Sequence, residues 1–301
     1  MRYLKWLMPA LISLMLISCG GGSSSSSNFT GSSTTPVIFI EELYKDLPNA
    51  WVTEYNTIKT NLLSFLPLYQ TFYKKIFVYA WQSDTPDPYS GVSGGSYISG
   101  GGLDEENSIR FVMEIQKSDI DSGYQQPYAV IVHEYFHTYQ KTLNSHMNKA
   151  DDHATSFKTK WLVEGAAAVV EGIYIKQNSG YDYIANDKND VSSEVYTTPE
   201  LYEDHNSSVD DRNYSSSVFL VLVLATELQI LGHTEIEAFR LILRDYMAAS
   251  PNKLTWKTKF HETFGMTVDD FYAEVKTTYR GSTNVNLVPT DALKLEEIFS
   301  K

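Results

Sequence analysis

Val130-Ile131-Val132-His133-Glu134-Tyr135-Phe136-His137-Thr138-Tyr139-Gln140 is an apolar, helix-forming run with a polar pattern set into it. His133 and His137 stand four residues apart, so on a helix both imidazoles leave from one face. Two neutral ring nitrogens at that spacing suit one Zn²⁺ ion. Glu134 lies about 100° around the helix from His133. That places it beside such an ion without ligating it, where a carboxylate can take a proton from water on the metal. The same short pattern also arises by chance in ordinary helices, so the rest of the chain has to support it.

Trp161-Leu162-Val163-Glu164-Gly165-Ala166-Ala167-Ala168-Val169-Val170-Glu171 reads as a second helix. A working zinc site needs a third protein ligand and one open position. Glu164 can supply that ligand. Glu171, seven residues on and near the same helix face, is the alternative, and is read as a supporting carboxylate. The small residues at 165–168 predict that this helix approaches the first one closely.

His-Glu-x-x-His followed by Trp-x-x-Glu-Gly-x-Ala resembles the gluzincins, zinc metallopeptidases whose third ligand is a glutamate on a following helix. The resemblance implies that His133, His137 and Glu164 bind zinc and that Glu134 is the general base. It spans roughly residues 76–279, but its specific matches are the two motifs. The metzincin pattern does not fit: Gln140 stands at its glycine position and Leu143 at its third histidine position. His146 and His153 fall in a polar stretch, 144–156, and are expected to be solvated loop residues. His205 and His233 are expected in loops. His261-Glu262-Thr263-Phe264 opens like the metal motif, but no second histidine follows at the required spacing.

The chain begins with positive charge at Arg2 and Lys5 and an apolar run at 7–17 too short to span a bilayer, as secretory signals do. Leu16-Ile17-Ser18-Cys19 resembles a bacterial lipobox. That resemblance implies cleavage before Cys19 and attachment of lipid to it. Cys19 is the only cysteine, so no disulfide is expected in the mature fold. The expected organisation is a signal peptide over 1–18, a lipid-anchored Gly/Ser/Thr tether over 19–36, and one folded domain over 37–301. The expected location is the bacterial cell envelope. No later apolar run reaches membrane-spanning length. The formal net charge of −13 disfavours nucleic acid and anionic lipid as partners.

Residues 37–75 read as one or two helices interrupted at Pro48 and Pro67, and 76–81 and 108–117 as strands. Six glycines between 91 and 102 lack the strand before and helix after that a phosphate loop requires, so they read as a glycine-rich edge strand or turn. Such an edge can accept an extended peptide. Helices are expected over 124–143, 160–176, 215–231 and 235–249, with a final pair over 257–264 and 268–279. The segment 180–212 reads as an irregular surface excursion.

The expected fold is α+β: a small mixed sheet with the active-site helix, then a mostly helical second half, with the cleft between them. The resemblance implies hydrolysis of a peptide or protein substrate with zinc as cofactor and Glu134 moving the proton. Gluzincins stabilise the oxyanion with a Tyr or His from the helical half; Tyr214 is the candidate here, with His205 close by in sequence. The alternative function is a zinc-binding surface lipoprotein without turnover, acting as an adhesin or scavenger. Oligomeric state is not legible from the sequence.

Overall fold

The computed structural model describes residues 34–86, 88–102, 105–149, 153–157, 159–204 and 213–300. The expected signal peptide, Cys19, nearly all of the expected tether, and His205 lie outside the described residues. The described part is a four-stranded mixed sheet followed by helices, an α+β architecture.

The sheet has the order β1-β2-β4-β3, with β1 at Ile38–Leu43, β2 at Lys75–Gln82, β3 at Ser96–Gly102 and β4 at Glu105–Ile115. β1, β2 and β4 are parallel, and β3 runs antiparallel to β4 at the outer edge. Helix α1, Asn49–Phe65, makes the crossover from β1 to β2. Alternation along β2 sends Ile76, Val78 and Ala80 into the main core, while Trp81 joins Val112 and Val92 in a smaller cluster.

Ile38–Leu43 corrects the helical reading of 37–75. The run Val37-Ile38-Phe39-Ile40 is β-branched and aromatic, and it pairs in parallel register with β2 rather than coiling. Pro48 and Pro67 do bound the helix: α1 starts after Pro48 and ends two residues before Pro67. The glycine-rich stretch forms the edge strand β3.

A short helix α2, Lys117–Ser122, precedes α3, Gln126–Leu143, with Pro127 in the first turn of α3. Residues 129–140 of α3 are buried on every side, which makes it the central helix of the molecule. Its position is clamped by polar contacts from outside. Trp51 Nε1 donates to Pro127 O at 2.8 Å, and the Tyr135 hydroxyl donates to Leu66 O at 2.7 Å.

Helix α4, Lys160–Ser179, packs against α3 and ends on Gly180 in the left-handed conformation. The short α5, Tyr183–Asp187, leads through 3-10 turns to α6, Tyr214–Ile230, whose Asn213 side chain caps the Ser216 N–H. Tyr183, Ile184, Val195 and Tyr202 are buried, so the described part of 180–212 is packed structure rather than a surface excursion. The remaining helices are α7, Glu235–Arg240, running through a π turn into α8, Tyr246–Ala248, and then α9, Trp256–Phe264, α10, Val268–Thr277, and α11, Leu295–Ile298.

One of the small residues of α4 serves a neighbour the sequence reading did not name. A Cβ at Gly165 would lie 2.4 Å from Ser217 O and 2.7 Å from Ser217 C, so Gly165 lets α4 close onto α6 rather than onto α3. Gly165→Ala gains about 1 kcal/mol in helix propensity. It also forces two buried helices apart, and overpacking of that kind costs about 1–3 kcal/mol. Net destabilisation is expected in a denaturant titration, and a stabilised variant would show that α4 and α6 are not in close contact at Gly165.

Candidate metal centre

Helices α3 and α4 run antiparallel, so partners fall in reverse order: His133 meets Glu171, His137 meets Glu164, and Gln140 meets Val163. One donor atom each from His133, His137 and Glu164 lies within 4.8 Å of the others. His137 Nε2 is 3.0 Å from His133 Nε2 and 3.1 Å from Glu164 Oε2, and His133 Nε2 is 3.4 Å from that same oxygen. A tetrahedral ion with bonds of about 2.0–2.1 Å sets its ligand atoms roughly 3.3 Å apart. The three separations therefore match the edges of such a site, and these residues are positioned to hold a metal ion.

The far side of each imidazole is occupied. His133 Nδ1 is 2.9 Å from Glu171 Oε2, and His137 Nδ1 is 2.8 Å from Gln140 Oε1. Gln140 is itself oriented, since its Nε2 donates to Val163 O at 3.1 Å. An acceptor at Nδ1 places the ring proton there and leaves the Nε2 lone pair facing the cluster. Glu171 is thus a partner of His133 on the side away from the convergent atoms, and Glu164 is the carboxylate among them.

Charge in the cluster follows from this packing. Burial opposes a charge on His133, but Glu171, Glu164 and Glu134 outweigh it and push the metal-free imidazole up to about 10. Burial likewise works against the Glu164 carboxylate, yet His137 and His133 hold it well below the usual range. Glu171 is lowered against its burial by Lys188 and His133. Glu134 goes the other way: burial raises it, against the pull of His137 and His133. In the metal-free protein Glu164 and Glu171 thus favour the charged form and Glu134 the protonated one.

Glu134 is 5% exposed, and its Oε2 is buried with no hydrogen-bond partner among the described residues. It lines a cleft of about 350 Å³ together with His133, His137 and Glu164. Tyr214, the first residue of α6, lines the same cleft; its ring centroid is 6.0 Å from that of His133, edge to face. Ser96, Tyr97 and Ile98 bring edge strand β3 to the opposite rim.

The other described histidines stand apart from the cluster. His153 and His233 are exposed, and His261 is on the exposed side of α9. His146 differs from its solvated expectation: it sits half-buried in a 3-10 turn, Ser145–Asn148, that packs beneath the end of α3. Two supporting residues were missed by sequence reasoning. Gln140 was legible, three residues after His137 on the same helix. Lys188, whose Nζ is 3.1 Å from Glu171 Oε1, carried no signal in its polar surroundings.

No protein-family model matches the chain, and no curated protein matches it. The gluzincin resemblance therefore rests on the two sequence motifs alone.

Proposed function

We propose that this chain is a zinc-dependent peptidase with Glu134 as its general base. The observation that carries the reading is the buried carboxylate of Glu134, one oxygen unpartnered, in a cleft beside a His-His-Glu cluster of tetrahedral dimensions. A purely structural metal site has no use for such a group.

The donor set of two imidazoles and one carboxylate suits zinc and leaves a fourth position for substrate or water. Zinc held by His133, His137 and Glu164 supplies Lewis acidity toward water and toward a carbonyl oxygen. Glu134 takes the proton of the attacking water and returns it to the leaving amine. Tyr214, whose ring lies edge to face beside that of His133, is the candidate to donate a hydrogen bond to the developing oxyanion. An extended substrate laid along the edge of β3 gains main-chain hydrogen bonds and brings its scissile bond over the cluster.

Incubating the purified protein with a mixed peptide pool, with and without a chelator, tests the reading. Cleavage that disappears on chelation and returns with zinc supports it. Stoichiometric zinc without any cleavage would favour the non-catalytic zinc-binding alternative.

The proposal includes attachment to the bacterial envelope through lipid on Cys19, supported by the sequence Leu16-Ile17-Ser18-Cys19 and by the absence of any other cysteine. Cys19→Ala is expected to move the protein from the membrane to the soluble fraction of cells. Retention in the membrane fraction would point to a different anchor.

A further inference from the structure

Lys188 follows directly on α5, a segment with no motif. Its Nζ forms an ion pair with Glu171 Oε1 at 3.1 Å, without the geometry of a hydrogen bond, and the other oxygen of Glu171 is 2.9 Å from His133 Nδ1. The Glu171 side chain is only 4% exposed and that of Lys188 19%, so this ion pair is largely shielded from water. The ammonium also lies 5.9 Å from the ring centroid of Tyr214 and 5.2 Å from that of Tyr183. One cation therefore pairs with the carboxylate that contacts His133 and lies within cation–π range of the ring beside that histidine.

The backbone around Lys188 is fastened to the start of α6. The buried amide of Asn284 donates from one nitrogen to both Lys188 O and Ser215 O, the second at 2.9 Å. Asn213 Nδ2 donates to Asp190 O at 2.9 Å, and the Ser192 N–H donates to Ser216 Oγ at 3.0 Å. Segment 188–192 and the residues flanking Tyr214 are thus held to each other independently of the metal cluster.

We infer that Lys188 is a positioning residue for the metal centre: by holding Glu171 it aims His133, and its stapled segment sets Tyr214 against the same imidazole. A glutamate side chain has three rotatable bonds and two equivalent oxygens. With Lys188 on Oε1, Oε2 is left to His133, which fixes the ring proton on Nδ1 and the lone pair on the cluster side. Without Lys188 the carboxylate is buried beside a single partner and loses the contact that fixes its rotation. This inference rests on the metal-site reading.

The test is zinc affinity, measured on the full chain by competition with a chromophoric chelator. Loss of a group that orients a ligand typically weakens metal binding by about 10–100-fold. Lys188 acts one bond further out, so Lys188→Met is expected near the lower end, about tenfold. Lys188→Arg, which keeps the charge and the contact, is expected within about threefold of wild type. The effect must also pass through Glu171. In a Glu171→Gln background, Lys188→Met should change zinc affinity by less than about twofold, whereas a merely structural loss would add in full. Should Lys188→Met fail to fold, Lys188→Gln, which keeps length but not charge, is read by the same criteria. Unchanged zinc affinity in folded Lys188→Met, or full additivity in the double variant, overturns the inference and leaves the metal site standing. A wild-type protein that binds no zinc overturns both.

Discussion

Glu134→Gln is expected to keep its zinc and lose about 10⁴-fold in peptide hydrolysis. General-base catalysis is typically worth about 10²–10⁴-fold. The upper end applies here because Glu134 is given both the uptake of the proton from water and its delivery to the leaving amine. Gln preserves the size and polarity of the side chain. The metal contacts are assigned to His133, His137 and Glu164, so none is removed. Removing a buried carboxylate whose Oε2 lacks a partner leaves no new unpaired charge, so the fold should tolerate the change. Zinc content and turnover must be read on one sample, so that lost metal is not mistaken for lost chemistry. A zinc-loaded variant that cleaves within a few-fold of wild type would remove Glu134 from the mechanism.

The second large effect separates the two glutamates of α4. Glu164→Ala removes the only carboxylate oxygen among the described residues that converges with both Nε2 atoms, at 3.1 and 3.4 Å. Zinc affinity should fall by more than about 100-fold, beyond the range that supporting residues produce. Glu171→Ala removes the partner of His133 Nδ1, 2.9 Å away, and should cost only about 10–100-fold. It also leaves Lys188 without its buried counter-ion, so some loss of stability accompanies it. Equilibrium zinc titrations of both variants give the order directly. The reverse order would make Glu171 the ligand and Glu164 its support.

The two helices that carry the site were legible because each is apolar with helical spacing and each bears a motif with a fixed chemical spacing. Their contact was legible as well, since one ion held by His133, His137 and Glu164 would require it, whereas their antiparallel direction was not. The edge strand at 96–102 was legible from its glycines and from the absence of a helix after it. β1 was not, because Ile38–Leu43 contains the acidic pair Glu41 and Glu42 and leads into a helix, and its parallel partner β2 lies more than thirty residues away. Strand propensity expresses itself through such non-local packing, which a window of sequence does not contain. Lys188 was hidden for a similar reason. Tyr183, Ile184, Val195 and Tyr202 bury the segment around it, yet their spacing follows neither helix nor strand period, so the stretch reads as loop. Tyr214 could be named as a residue at a helix start, but only packing brings its ring within 6.0 Å of His133.

The central claim is that His133, His137 and Glu164 form one zinc site, and metal analysis of the purified full-length protein tests it most directly. After zinc is supplied and loosely held metal is removed by gel filtration, the account predicts close to one zinc per chain. It predicts far less in His133→Ala and His137→Ala, each checked for folding by circular dichroism. Well-folded wild-type protein that retains no zinc under these conditions, or histidine variants that retain it in full, would contradict the account.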